Sequence, residues 1–187
     1  MNQLRSFAAS VLAALLLVVG QALSMPMLVA ASADAPPPVP DTIAVPADSV
    51  LLFTRHAKGV QIYECQNSQW VFHAPRALLF DAQSNQPTAT HYGGIDRGLT
   101  PGPWWEAIDD SSSIRGGKAV SAPSPNADSI PLLRLEVLER HGAGVFTPAS
   151  YIQRLNTIGG VSPTGACQPG VQRWVPYTAD YYFYATP

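Results

Sequence analysis

The sequence predicts an all-β protein, either an antiparallel β-sandwich or a barrel, with long loops rich in glycine and proline. Short runs of β-branched and aromatic residues recur along the chain, and clusters of Gly, Pro, Asn and Ser separate them. The 187 residues include 14 glycines and 18 prolines, so turns are frequent. About ten short strands separated by such turns are typical of a sandwich or a barrel.

Residues 1–33 are interpreted as a secretory signal peptide that precedes this domain. Arg5 is their one charged residue, an apolar run occupies positions 7–19, and small residues suited to cleavage follow. An uncleaved membrane anchor is the alternative, because the uncharged run 6–33 is long enough to span a bilayer. Glycine, proline and polar residues interrupt that run and no basic cluster follows it. Cleavage is therefore favoured, and the mature protein is expected in the periplasm or outside the cell.

Residues 34–42 form a predicted linker, and residues 43–187 form a single predicted β domain. Four prolines lie between positions 36 and 40, which favours an extended, solvated segment. The predicted strands are 59–65, 70–73, 77–80, 88–92, 104–108, 118–121, 132–139, 151–157, 171–177 and 179–184. Pro75 is expected to end the second of them. The aromatic residues expected in the core are Trp70, Phe72, Trp174, Tyr182 and Tyr184.

Two of these runs also fit a helix. In the run 132–139, apolar residues alternate with Arg134 and Glu136, which is the strand period, although leucines also recur every three residues. The neighbouring runs are predicted strands, which favours a strand here as well. The run 151–157 is similarly ambiguous, and Thr147-Pro148 before it would cap a short helix.

The chain contains two cysteines, Cys65 and Cys167. In an exported protein an even pair most simply forms one disulfide, which here would close a loop of about 100 residues. Two buried free thiols are the alternative. Neither cysteine has a histidine or another cysteine at ligand spacing, so a metal pair is not expected.

The charge balance excludes several classes of partner. The chain carries 11 basic and 13 acidic side chains, and removal of the signal peptide would take away one base. No basic face for nucleic acid and no polybasic membrane patch is therefore expected. The Gly-rich segment 156–167 lacks the G-K-[ST] of a phosphate loop, so no cofactor is predicted. A small molecule, a glycan or a cell-envelope component remains as the expected partner.

The segment 91–113, HYGGIDRGLTPGPWWEAIDDSSS, holds the candidate catalytic residues. His91 shares it with Glu106 and Asp109, so a hydrolase that uses His91 with either carboxylate is one hypothesis. Glu106 and Asp109 are three residues apart and would point to opposite faces of a strand, which disfavours a pair that flanks a sugar. The sequence contains no G-x-S-x-G elbow for a serine nucleophile.

The same segment supplies the predicted ligand-binding residues, which are His91, Trp104 and Trp105. Adjacent residues of a strand point to opposite sides, so one tryptophan is expected to pack inward and the other to meet solvent. An exposed tryptophan beside Asp and Arg is typical of many sugar-binding surfaces. The alternative is that neighbouring loops cover both rings.

No metal site is predicted. The chain lacks H-E-x-x-H, and its histidines lie far apart in the sequence. The string DDSSS at 109–113 offers oxygen ligands, but it lacks the spacing and the distal glutamate of a calcium loop. An Asx turn, in which aspartate accepts backbone N–H bonds, is the favoured interpretation.

Several strings in this order resemble a known family. They are GVQIYECQ, WVFHAPRALLFD, HYGG followed by a tryptophan and DDSS, YIQRLNTIGGVSPTGAC and VPYTADYYFY, and they cover roughly residues 41–186. Together they are similar to an uncharacterised family of secreted proteins of bacteria and filamentous fungi, a domain of unknown function. The resemblance implies an export signal, one domain and paired cysteines, but no catalytic residues. Residues 95–103 are an extra loop relative to the family pattern, and Asp110-Ser111 replaces an expected Asp-Gly.

Some fungal members of that family carry an automatic malate dehydrogenase label. The sequence does not support this label, because no G-x-G-x-x-G follows a predicted strand and no βαβ alternation is present. Two functional hypotheses therefore remain. The first is an exported, non-enzymatic protein that binds a ligand or serves as an envelope or surface structural protein. The second is the secreted hydrolase.

Overall fold

Eight antiparallel strands form a closed barrel in the computed structural model, which describes residues 36–187. Each strand pairs with the next in sequence, and the last pairs with the first. The prediction of an antiparallel all-β fold is confirmed, in its barrel form. The predicted signal peptide and the start of the predicted linker lie outside the described residues. The strands are β1 (Val50–Gln66), β2 (Gln69–Asp81), β3 (Pro87–Gly93), β4 (Pro103–Ala107), β5 (Ser113–Ala122), β6 (Leu132–His141), β7 (Tyr151–Gly159) and β8 (Gln172–Ala185).

The strands are fewer and longer than the sequence predicts. β2 continues through Pro75, and β8 joins two runs that the sequence predicts as separate strands. Pro75 is tolerated because the ladder between β2 and β3 begins only at Arg76, so the missing N–H removes no bond to β3. The two runs that also fit a helix lie in β6 and β7 and are strands.

Alternate residues of each strand face the barrel interior, where the main apolar core lies. At one end of the barrel Phe53, Phe146 and Phe183 pack together, with ring centroids 4.9 to 5.7 Å apart. Phe146 comes from the loop between β6 and β7, so this loop helps to close that end. The three rings, called here the phenylalanine plug, fill the interior at one end only.

A second apolar cluster lies on the outside of the barrel, beneath the segment that precedes β1. The short 3-10 helix Asp41–Ile43 places Ile43 in this cluster, where it is completely buried. The Ile43 carbonyl accepts a hydrogen bond from Gln153 Nε2 at 2.7 Å, and the Ala44 carbonyl accepts one from Arg134 Nη1 at 2.9 Å. The buried members of this outer cluster are Ile43, Ala122, Leu132, Leu155, Tyr182 and Tyr184.

The predicted aromatic core is correct in part. Tyr182 and Tyr184 are buried in the outer cluster, and Trp70 is half-buried. The prediction is wrong for Phe72 and Trp174, which are 51% and 52% exposed. Both residues lie in strands, but apolar composition alone does not say which strand residues the barrel buries.

Cys65 and Cys167 form the predicted disulfide, with a Cα–Cα distance of 5.8 Å. The bond joins the end of β1 to the loop between β7 and β8. The Cys65 N–H donates to the Val171 carbonyl and the Cys65 carbonyl accepts from the Gly170 N–H, and these backbone bonds hold the same loop. Within residues 36–187, no helix has the length and apolar character needed to cross a membrane.

Candidate functional site: a cavity at one end of the barrel

A cavity of about 420 Å³ lies inside the barrel, at the end away from the phenylalanine plug. All eight strands contribute to its wall, and the segment between β3 and β4 contributes to its rim. An eight-stranded barrel has room inside for one small ligand, and sites for small molecules have volumes of this order. The lining residues are Gln61, Phe72, His73, Pro75, His91, Gly93, Ile95, Pro101, Gly102, Pro103, Trp105, Gly117, Lys118, Ala119, Leu133, Leu135, Arg154 and Tyr181.

His91 and Trp105 form one wall of the cavity. They are direct partners in the ladder between β3 and β4, so their side chains point to the same side of the sheet. Their rings stack with centroids 4.3 Å apart and planes 14° from parallel. Tyr181 meets both rings edge-on, at 5.2 and 5.5 Å. The structure therefore brings together two of the three predicted ligand-binding side chains.

His91 is a neutral imidazole in this wall. Its Nδ1 donates a hydrogen bond to the Trp104 carbonyl at 2.8 Å, which leaves Nε2 as the acceptor nitrogen. Burial, with a smaller contribution from the Arg154 charge, lowers the pKa of His91 to about 3, although the bond to Trp104 opposes the shift. Near neutral pH this residue therefore offers an acceptor and a flat ring, but no positive charge.

Two tyrosine hydroxyls, those of Tyr177 and Tyr181, also lie inside the barrel. Their oxygens are 3.4 Å apart. Burial raises the pKa of both residues above the ordinary value, and the Arg154 guanidinium opposes the rise in each case. Both groups are thus protonated near neutral pH and are able to donate or accept hydrogen bonds.

Two buried N–H donors in the cavity wall have no hydrogen-bond partner among the described residues. They are Gln61 Nε2 and Trp105 Nε1, on side chains that are 2% and 1% exposed. The Gln61 amide opposes the rise in the pKa of Tyr177, but its geometry does not satisfy a hydrogen bond. Because an unsatisfied buried donor is costly, most native structures contain only a few. Two of them in one wall indicate a place where a bound molecule would supply acceptors.

The charged side chains that line the cavity are cationic. Arg154 donates two hydrogen bonds to the Pro131 carbonyl, at 2.8 and 3.3 Å. Lys118 lies at the rim and pairs with Glu136 at 2.8 Å. Among the described residues, no Asp or Glu side chain belongs to the lining. The wall therefore favours a neutral or anionic molecule over a cationic one.

Glu106 and Asp109 do not join His91. Glu106 is one residue from Trp105 and faces the outside of the barrel, where it accepts hydrogen bonds from Tyr92 Oη at 2.9 Å and Arg97 Nη1 at 2.6 Å. Asp109 is exposed in the turn between β4 and β5. Neither carboxylate lines the cavity, so the structure does not assemble the predicted acid–base pair.

Trp104 and Trp105 point to opposite sides of the sheet, as predicted, but neither meets solvent. Each is 1% exposed, so the expectation of one exposed tryptophan is wrong. Trp104 lies on the outer side, where its Nε1 donates to the Thr100 carbonyl at 2.9 Å and its ring packs beside His141. The segment between β3 and β4 therefore covers it. Its contribution to the cavity is the carbonyl that fixes His91.

That covering segment is the extra loop predicted over residues 95–103. Ile95 and residues 101–103 line the cavity, so the loop forms part of its rim. Asp96, in the 3-10 helix Gly94–Arg97, pairs with His73 Nε2 at 2.9 Å. His73 is itself a lining residue on β2, the strand next to β3, and thus ties the loop to the neighbouring part of the wall.

The turn after β4 has the predicted Asx geometry. Asp110 Oδ1 accepts a hydrogen bond from the Ser112 N–H at 2.7 Å, and Oδ2 accepts one from the Val145 N–H at 2.9 Å. The Ser112 side chain, followed by these two backbone bonds, lowers the pKa of Asp110. In the part of the chain that the structure describes, no group of three or more His, Cys, Asp or Glu side chains is placed to hold a metal ion.

The sequence reasoning missed Gln61, Arg154 and Tyr181. Each is a polar or amphipathic residue inside a predicted strand whose neighbours are apolar or aromatic. Gln61 is two residues from Gly59 and from Tyr63, and Arg154 is two residues from Ile152, so the strand period places them on interior faces. Recognition of buried polar residues at inward positions would have identified all three.

A family model described as "Protein of unknown function (DUF3455)" matches residues 46–185, which include all eight strands. The match agrees with the resemblance to an uncharacterised family. Searches of curated proteins and of solved structures gave no significant match.

Proposed function

The chain belongs to this family of unknown function, and we propose that it is an exported, non-enzymatic protein that binds a small molecule inside its barrel. The observation that carries the proposal is the cavity with the stacked His91–Trp105 wall. Small-molecule sites are concave, mostly apolar and largely preformed, with a few placed polar groups. The cavity has these properties.

The wall is held in place before any ligand arrives. Trp105 contacts Tyr181 on one side and Phe183 of the plug on the other, and His91 is fixed through its Nδ1. A preformed wall reduces the ordering cost of binding. The phenylalanine plug closes the far end, so a ligand would enter from the rim.

Export is supported by the disulfide between Cys65 and Cys167. Disulfides persist in oxidising compartments and are rare in the reducing cytosol. The apolar N-terminal run read from the sequence is consistent with the same destination.

The hydrolase hypothesis lacks the geometry that it needs. His91 faces the interior, whereas Glu106 faces outward from the neighbouring strand and Asp109 lies in a turn. General acid–base partners must lie within hydrogen-bond reach, directly or through one water, of a shared substrate. A binding function uses the cavity as it stands.

A blocking variant tests the proposal. The purified protein is titrated with a panel of neutral aromatic fluorescent probes, among them N-phenyl-1-naphthylamine. Ala119 is exposed at the rim, so Ala119→Trp should fill the entrance without disturbing the core and weaken binding at least about tenfold. Ala127→Trp, at an exposed turn residue away from the lining, is the matched control and should bind as the parent does. Equal binding by both variants, or no saturable binding to any probe, would contradict the proposal.

A further inference from the structure

We propose that the ligand is a small aromatic or alicyclic carboxylate whose anionic oxygens are held by Arg154, Trp105 Nε1 and Gln61 Nε2. This inference rests on the proposed binding function and adds the chemical class of the ligand. It depends on three features of the cavity: its unpaired donors, its charge and its flat walls.

The unpaired donors indicate that the part of the ligand that contacts them is a hydrogen-bond acceptor. Trp105 Nε1 carries a hydrogen and no lone pair for bonding, so only an acceptor satisfies it. Gln61 Nε2 is a second buried donor in the same lining. A carboxylate has two oxygens with about four lone-pair positions, so one group is able to accept from both donors and from a guanidinium.

The position of Arg154 supplies the charge. It lies on β7, opposite Tyr181 in the ladder with β8, and it lines the cavity. Its charge acts on four interior groups, namely His91, Tyr63, Tyr177 and Tyr181. Its guanidinium donates to the Pro131 carbonyl and interacts with the Tyr181 hydroxyl, and among the described residues no Asp or Glu side chain lines the cavity to neutralise it. Hydrogen bonds to charged groups are stronger than those between neutral groups.

The surroundings do not oppose an anion. The second charged lining residue, Lys118, lies at the rim, where its pairing with Glu136 at 2.8 Å leaves little net charge at the entrance. His91 Nε2 is an acceptor, so it prefers a hydroxyl or another donor elsewhere on the ligand.

The shape of the wall favours a ring. The stacked pair His91–Trp105 presents a flat surface, and Tyr181 stands edge-on to it. Phe72, three prolines and several aliphatic side chains form the rest of the apolar lining. Planar and alicyclic bodies gain more contact from such walls than flexible chains do, since they lose less conformational freedom on binding.

The test compares two probes that differ in charge at one end. Isothermal titration calorimetry at pH 7.5 measures binding of trans-cinnamate and of cinnamyl alcohol to the purified protein. The parent protein should bind cinnamate at least about tenfold more tightly, and the preference should fall as salt is added. Arg154→Met should remove the preference while the affinity for the alcohol stays within about threefold.

Three further variants complete the design. Arg76→Met removes a charge at an exposed position outside this lining and should keep the preference. Arg154→Lys should keep part of it, and Trp105→Phe, which retains a ring but loses the N–H, should lower it several-fold. If Arg154→Met does not fold, Arg154→Lys and Trp105→Phe test the assigned residues in its place.

The outcomes separate this inference from the proposed function. If neutral probes bind and are blocked by Ala119→Trp, but cinnamate shows no preference over the alcohol, the anionic ligand is overturned and the binding function stands. If neither the neutral panel nor cinnamate binds, both are overturned. An unchanged preference in Arg154→Met and Trp105→Phe would also overturn the assigned residues.

Discussion

His91 lies flat against Trp105, with ring centroids 4.3 Å apart, while its Nδ1 is bonded to the carbonyl of Trp104. Two adjacent tryptophans therefore hold the same histidine by different means, one through its ring and the other through its backbone. Since adjacent strand residues face opposite sides, this arrangement needs His91 to lie directly across the ladder from Trp105. The histidine is thereby fixed in orientation and in tautomer.

The low pKa of His91 predicts that stability depends on pH. The folded-state pKa, about 3, lies below the ordinary value of 6.5. Between these two values the unfolded chain binds a proton that the folded chain does not. Stability should therefore be fully present above about pH 6.5 and fall as the pH decreases, by at most roughly 1.4 kcal/mol per pH unit.

His91→Gln tests this dependence, because an amide also donates to the Trp104 carbonyl but does not titrate in this range. Urea unfolding of the parent and the variant is measured at intervals from pH 7.5 to 5. The parent should lose stability relative to the variant across this range. If the unfolding free energies of the two proteins change in parallel with pH, His91 does not contribute to the pH dependence of stability.

The disulfide should contribute strongly to stability. It links residues 102 positions apart, and the chain-entropy estimate for a loop of this length is about 4.7 kcal/mol. Replacement of both Cys65 and Cys167 by serine should lower the unfolding free energy by roughly 2–5 kcal/mol. Chemical denaturation with and without reductant measures the effect. Reductant should destabilise the parent and leave the double variant unchanged, and an equal response of the two proteins would contradict the prediction.

Ile43 should contribute as much to the free energy of unfolding as a residue of the barrel core, although it precedes the first strand. Its side chain is completely buried in the outer cluster. Ile43→Ala should cost about 2–5 kcal/mol, because it removes buried methyl groups and leaves a cavity. Ile158→Ala, at a site that is 61% exposed, is the control and should change stability by less than about 0.5 kcal/mol. Equal urea midpoints for the two variants would show that the segment before β1 adds little to the stability of the protein.

Glu106 should not take part in ligand binding. It faces outward and pairs with Tyr92 and Arg97, on the other side of the sheet from the cavity. Glu106→Gln should therefore leave probe affinity within about twofold of the parent value. The same fluorescence titration that tests Ala119→Trp measures it. A tenfold loss of probe affinity in a folded Glu106→Gln protein would show that this carboxylate belongs to the site. Such a result would support the acid–base hypothesis.

The sequence predicts the local features of the fold well because they depend on neighbouring residues. The opposite orientation of Trp104 and Trp105 follows from the strand period, and the Asx turn at Asp110 follows from turn chemistry. The disulfide follows from the cysteine count in a chain with a predicted export signal. These inferences need no knowledge of which strands are neighbours.

The remaining features depend on contacts between distant parts of the chain. Closure of the barrel requires β1 to pair with β8, and Gln61 meets Arg154 in one lining only because of that closure. Trp104 is buried because the segment between β3 and β4 folds over it. The period of a strand says that a residue faces one side, but not whether that side is the interior, the solvent or the underside of a loop.

Closure of the barrel has a practical consequence. Val50, at the start of β1, pairs with Ala185, at the end of β8, so the two ends of the barrel sequence are neighbours. They lie near the phenylalanine plug, at the end away from the cavity rim. A reporter domain attached after Ala185 would leave the entrance free. The chain should also tolerate circular permutation, with a joining peptide attached ahead of Ile43, so that the outer cluster stays covered, and new termini opened in the exposed turn after β2.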